Sequence, residues 1–270
     1  MDEITKKNLT GIERLLYIMA RLRDPDGGCP WDIEQDFSTI VPYTIEEAYE
    51  VADAIEHQDM TALKDELGDL LLQVVFHSQM AEENEEFNFQ VVVDGISEKM
   101  IRRHPHVFGS EQMASVDQQR IAWEDQKARE RKEKSDASLS ALSGVAKGMP
   151  ALLRSFKLQK RAARVGFDWP DPQSTMDKLG EEIIELQDEI IAEDLDRDKL
   201  IDELGDVLFC VVNVARKLDI DPEAALRHGN AKFEDRFGKM EKFLSEEGKD
   251  INQLNLGEME VLWKKAKGQS

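Results

Sequence analysis

Four acids in the second half of the chain, Glu182, Glu185, Glu203 and Asp206, stand in two pairs, each three residues apart and set among Ile, Leu and Val. Residues three apart on a helix share a face, so each pair presents two carboxylates in one direction. Two such helices packed antiparallel would converge all four. Like charges held that close raise one another's pKa values, and a hard divalent cation removes the penalty. A set of oxygen ligands alone favours Mg²⁺ or Mn²⁺ over zinc. The plain alternative is an acidic helix face that merely meets water.

The pattern occurs twice. "KDELGDLLLQVV" at 64–75 recurs as "IDELGDVLFCVV" at 201–212, and "IEEAYEV" at 45–51 matches "GEEIIEL" at 180–186. A second quartet, Glu47, Glu50, Glu66 and Asp69, follows from the alignment. The two offsets differ by two residues, so the connector between the paired motifs is longer in the second copy. Gly68 and Gly205 recur between the acids of the later pair. A mid-helix Gly costs about 1 kcal/mol relative to Ala, so its return predicts close approach of another backbone or a ligand. Downstream, "EKMIRR" at 98–103 aligns with "AKFEDR" at 231–236, and Trp123 and Trp263 each precede a Lys-rich segment.

Such doubling implies two copies of one domain: residues 1–135, a Ser/Ala/Gly connector at 136–148, and residues 149–270. In 63–76, Leu63, Leu67, Leu70, Leu71 and Val74 recur at helical intervals. Pro and Gly fall mainly in connectors such as "RDPDGGCPW" and "GFDWPDPQS". The expected fold class is all-α, built from tandem helical bundles.

Composition narrows the partners. Hydrophobic residues make up 41% of the chain, enough for a core, while a net charge of -21 argues against direct nucleic-acid binding. The longest uncharged apolar run, "LLLQVVFHSQMA", is too short to span a bilayer, and "MDEITKKNLT" has no apolar signal-peptide core. Cys29 and Cys210 lack CxxC spacing and read as reduced thiols of a cytoplasmic protein. Ferritin-like di-iron bundles need Glu-x-x-His on two helices; none of His57, His77, His104, His106 and His228 has a Glu three residues before it. His104 and His106 flank a proline and read as packing or capping groups.

E-E-x-x-E followed by E-x-x-D, with Trp and lysines downstream, resembles the MazG family of nucleoside triphosphate pyrophosphohydrolases, all-α enzymes related to dimeric dUTPases. "CPWD" and "RRHPHVF" look like the first half of tandem MazG proteins. The resemblance covers nearly the whole chain. It implies Mg²⁺-dependent hydrolysis of NTPs and dNTPs to the monophosphate and pyrophosphate, broad base tolerance, a homodimer, and a C-terminal repeat that is the main catalyst. Water would attack the α-phosphorus with help from Glu182 or Glu185.

Candidate substrate cations follow by position. Lys232 and Arg236 are four apart and suit phosphate binding. Lys178 lies one turn before Glu182, where it serves either phosphate or an ordinary helical ion pair. Trp263 either stacks on a base or caps the last helix by packing. No Walker A string is present. In the first repeat Lys99 and Arg103 match Lys232 and Arg236, but Tyr43 takes the slot of Lys178. That repeat is therefore expected to be the weaker site and a structural or regulatory element, with a protein partner as a further expectation. Two competing functions are a nucleotide or metal sensor without turnover and a purely structural helical dimer.

Overall fold

The computed structural model describes residues 9–110 and 140–268, together with residues 115, 119, 122, 123, 126, 129 and 130 between them. Of the expected connector, residues 136–139 lie outside the described residues, as does most of the Lys-rich segment before it. The chain divides into two compact units, Met1–Ala128 and Arg129–Ser270. Every regular element among the described residues is helical, in agreement with the all-α expectation.

The first unit contains α1 (Gly11–Leu22), α2 (Pro30–Glu34), α3 (Phe37–Glu56), α4 (Met60–Glu83), α5 (Phe89–Arg103) and the short α6 (Pro105–Phe108). The second contains α7 (Ala151–Arg164), α8 (Pro172–Ile191), α9 (Arg197–Lys217), α10 (Pro222–Glu246) and α11 (Leu256–Lys267), with a 3₁₀ turn at Ile251–Gln253. In each unit the acid-bearing helices form an intimate hairpin, α3 with α4 and α8 with α9. The hairpin connectors are residues 57–59 and 192–196, which differ by the two residues that the repeat offsets require.

Aspartate caps set the rotational phase of these helices. Asp36 accepts from the backbone N–H groups of Ser38 and Thr39, and Thr39 closes a capping box. Asp171 accepts from Ser174 N–H ahead of Pro172 at the first helical position. Both caps stand eleven residues before the first acid, Glu47 or Glu182, which is about three whole turns. Asp59 and Asp196 cap α4 and α9, each seven residues before Glu66 or Glu203, about two turns. The cap thus fixes on which face the acid emerges.

The core of the first unit is Met19, Ile40, Val75, Phe76 and Met80, with Leu15, Leu16, Leu72 and Phe89 packed against it. In the second unit Cys210, Val212, Met240, Leu244 and Ala266 are buried, and Gln159 of α7 donates to the Phe209 carbonyl of α9 at 2.7 Å.

Two expectations change here. Much of the apolar stripe on α4 is not core: Leu67, Leu71 and Val74 are 50%, 40% and 38% exposed, and their counterparts Leu204, Leu208 and Val211 are 49%, 48% and 45% exposed. Periodicity reports that residues share a face, not that the same chain covers it. Nor does Gly68 or Gly205 meet a neighbouring backbone, since a Cβ at either position finds no atom of the chain within 4 Å.

Candidate metal centre

The hairpins bring carboxylates together in both units. Glu182, Glu203 and Asp206 each offer an oxygen within 4.8 Å of the others, and so do Glu47, Glu66 and Asp69. Glu185 and Glu50 fall outside these trios, although Glu185 is close enough for its charge to act on Glu203. Partial desolvation, then the charges of Glu185, Asp206 and Glu182, push the Glu203 carboxyl above the ordinary glutamate range. Glu66 is raised in the same way, by desolvation and then by the neighbouring Glu50. Glu47 is raised by desolvation, Asp69 and Glu50.

The donor set fits a hard divalent cation. Glu203 Oε2 is buried with no hydrogen-bond partner, an orphaned acceptor beside two other carboxylates. Ligands of Mg²⁺ at about 2.1 Å stand at most about 4.2 Å apart across the ion, so small side-chain rotations would bring all three oxygens into its shell. Glu182, the deepest of the trio, is 6% exposed.

Lys178 faces Glu182. Its Nζ lies 2.9 Å from Glu182 Oε1 and 3.1 Å from Glu181 Oε2, so the helical ion pair is present in this state. Arg236 and Trp263 come together, with the guanidinium carbon 5.8 Å from the ring centroid and the Arg236 Nε buried without a hydrogen-bond partner. Phe233 also packs on Trp263 at 5.3 Å. Lys232 is exposed one turn earlier on α10. Among the described residues, no hydrogen bond or ion pair joins Lys232 or Arg236 to the four acids. Lys99 and Arg103 are half-buried on α5. Tyr43 meets Trp31 edge-on at 6.0 Å. His104 accepts the capping role at the end of α5, its Nδ1 lying 2.7 Å from the Met100 carbonyl oxygen.

Two clamps that spacing alone does not reveal hold the loops ahead of the first acidic helices. Arg23 grips both oxygens of Glu83 at 2.9 and 3.0 Å through Nε, and reaches the carbonyls of Asp32 and Gln35. This ties the loop before α3 to the end of α4. In the second unit the polarity is reversed: Arg216 and Lys217, at the end of α9, grip Asp168, and Lys217 also donates to the Trp169 carbonyl. A third feature is Gln73, buried on α4, close enough to Glu47 to oppose the upward shift of its carboxyl. The one signal for it was a polar residue interrupting the run "LLLQVVF".

Comparison with known proteins follows the same repeat. A family model for the MazG nucleotide pyrophosphohydrolase domain matches residues 35–108 and again 171–240, the two hairpin regions. The chain is 47% identical over 258 residues to a protein of Escherichia coli K12 named nucleoside triphosphate pyrophosphohydrolase, covering 96% of this chain and 97% of that one. It is 42% identical over 256 residues to the nucleoside triphosphate pyrophosphohydrolase/pyrophosphatase MazG of Thermotoga maritima, covering 95% of each. Bacillus subtilis YabN is 41% identical over 279 residues, which include 98% of this chain and 56% of YabN.

Proposed function

The chain belongs to the MazG family and is a nucleoside triphosphate pyrophosphohydrolase, and we propose that its second repeat is the main catalytic centre, a Mg²⁺ site built on Glu182, Glu203 and Asp206. The observation that carries this reading is the buried, unpartnered Glu203 Oε2 within a trio of carboxylate oxygens. A divalent cation held there would neutralise charge on phosphate oxygens and acidify a water; Mn²⁺ would substitute.

Glu182 and Glu185 divide the work. Glu182 is buried and tied to Lys178, which makes it an orienting ligand. Glu185 is exposed and outside the tight trio, which leaves its carboxylate available to take the proton from the attacking water. Lys178, Lys232 and Arg236 bind the triphosphate, Lys as point charges and Arg as a planar fork. Trp263, already stacked under Arg236, offers a sequence-tolerant face for the base, consistent with broad use of NTPs and dNTPs. Cleavage falls between the α and β phosphates, and the monophosphate and pyrophosphate leave. The role is control of the nucleotide pool, in the cytoplasm, where free thiols such as Cys29 and Cys210 persist.

The assembly in this reading is a homodimer, because Leu204, Leu208 and Val211 form an apolar stripe that the chain's own helices leave half open. The first repeat, with Lys99 and Arg103 but no counterpart of Lys178, is the weaker site and a platform for a regulatory protein. Pyrophosphate release from a panel of NTPs under Mg²⁺, with Glu203→Ala and Glu66→Ala made separately, tests the assignment. Activity should vanish in Glu203→Ala and persist in Glu66→Ala; retained turnover in Glu203→Ala would reverse it.

A further inference from the structure

The first repeat carries an apolar ridge that the second does not complete. Along α3, Phe37, Val41, Ile45 and Tyr49 recur every four residues and are 42%, 47%, 46% and 48% exposed. Residues four apart form one of the ridges by which helices pack, and this one runs about 18 Å. Ile45 and Tyr49 each stand two residues from Glu47, about 200° around the helix. The ridge therefore lies away from the face that α3 turns to α4, and away from the carboxylate trio.

Charge narrows what can cover it. α3 holds five acids, Glu46, Glu47, Glu50, Asp53 and Glu56, and no Lys or Arg. Glu46, Asp53 and Glu56 are exposed and lie within about 60° of Tyr49 around the helix. His57, just beyond the helix, meets Asp53 at 3.3 Å. At the aligned positions of α8 stand Pro172, Met176, Gly180 and Ile184, so a glycine interrupts the row, and Lys178 adds a cation. The stripes of α4 and α9 recur in both repeats, as self-association through both would require; the α3 ridge does not. Pairing two copies through it would also set five acids against five, which disfavours that contact.

We infer that this face of α3 docks an amphipathic helix with a basic polar side, supplied by another protein. The inference rests on the reading of the first repeat as a platform for a regulatory protein, and it gives that partner its chemistry. An exposed apolar row marks an interaction surface, and an acidic flank selects a cationic helix to lie on it. The partner's apolar side seats on Val41, Ile45 and Tyr49, and its lysines or arginines reach Glu46, Asp53 and Glu56. An anionic membrane would be repelled by the same acids.

The test follows the anisotropy of a labelled Leu/Lys peptide of about five helical turns, with leucines at helical spacing, against the full-length chain. Low salt leaves the surface charges least screened. The peptide should bind, while a Lys/Ser peptide of equal charge and a Leu/Glu peptide with the same apolar side should each bind at least about tenfold more weakly. Val41→Ser with Ile45→Ser and Tyr49→Ser should weaken the Leu/Lys peptide by about tenfold or more; Met176→Ser with Ile184→Ser should not. Glu46→Lys with Asp53→Lys, which leaves the ridge in place, should weaken it likewise. Circular dichroism melts establish that each variant is folded. Equal affinity in the ridge variant, or equal binding of the Lys/Ser peptide, overturns the proposal. So does a ridge variant whose mass in light scattering falls to half that of the parent, which would give the ridge to a second copy. Binding of the peptide needs neither metal nor nucleotide, and Glu203→Ala should bind it as the parent does, so failure here leaves the assignment of catalysis to the second repeat standing.

Discussion

Lys178 Nζ stands 2.9 Å from Glu182 Oε1, so the most buried acid of the second trio already carries a counterion. The hydrogen bonds to Glu182 and Glu181 push the lysine above its ordinary range, and it stays charged at any working pH. A fixed ammonium beside the carboxylates would act oppositely on the two ligands proposed for this site. It would compete with a bare divalent cation, and it would attract a triphosphate.

Lys178→Met should therefore separate the two. Mn²⁺ binding to the second repeat without nucleotide should tighten several-fold by calorimetry. Pyrophosphate release should fall in kcat/KM by about 10- to 100-fold, the equivalent of the roughly 1.5–3 kcal/mol of a hydrogen bond to a charged group. Unchanged kcat/KM would return Lys178 to the status of a helical ion pair.

Glu203 supplies a test with a sign. Its carboxyl is raised above 4.5 by partial desolvation and by Glu185, Asp206 and Glu182. A folded acid with a raised pKa binds its proton more tightly than the unfolded chain does, so it favours folding below about 4.5 and loses that contribution as pH climbs through the raised value. In EDTA at pH 8, Glu203→Gln should melt at a higher temperature than the parent, and the difference should shrink toward pH 4.5. With Mg²⁺ at pH 8 the order should reverse, because the parent gains an ion that the variant binds poorly. A parent more stable than the variant in EDTA at pH 8 would contradict the repulsion argument.

Part of the candidate site was legible because helical spacing puts Glu47, Glu66, Asp69 and their counterparts where the paired helices bring their oxygens together. The convergence of three acids rather than four was not. Glu185 and Glu50 follow their partners by three residues, about 60° short of a full turn, and the crossing of the helices decides which oxygen reaches inward. The exposure of Leu204 and Leu208 was equally hidden, because periodicity cannot say what covers a face. The clamps were beyond reach for a different reason: Arg23 and Glu83 are 60 residues apart, and Arg216 and Asp168 are 48 apart.

The Asp168 clamp is a stability element. Burial would raise this carboxyl, but hydrogen bonds from Arg216 and Lys217 outweigh that and lower it below the ordinary aspartate range. Arg216 and Lys217 are 11% and 13% exposed in their side chains, against 25% for Asp168. Asp168→Ala leaves two nearly buried cations with their shared carboxylate gone. Full burial would cost about 3–5 kcal/mol; with the acid a quarter exposed, roughly 2 kcal/mol is expected in urea unfolding at pH 7. The loss should diminish as pH falls through the depressed pKa, where the parent's carboxylate is itself protonated. A difference that stays constant down to pH 2 would assign the effect to packing instead.

The last prediction concerns the open stripe. Leu204, Leu208 and Val211 recur at intervals of four and three along α9, each about half exposed, and Leu67, Leu71 and Val74 repeat the arrangement on α4. Fully burying a leucine is worth about 1.5–3 kcal/mol, so covering the remaining half of each gives roughly 1 kcal/mol per residue. Six such residues per chain, met by six from a second copy, would contribute enough to hold a dimer at micromolar concentration. A carboxylate placed within that contact would be stripped of water without a partner. Leu208→Glu together with Leu71→Glu should therefore convert the protein from a species of about twice 30.8 kDa to one of 30.8 kDa in light scattering, without loss of helical circular dichroism. A parent chain that already scatters as a single copy would remove the homodimer from the functional reading, and the stripe would then need another occupant.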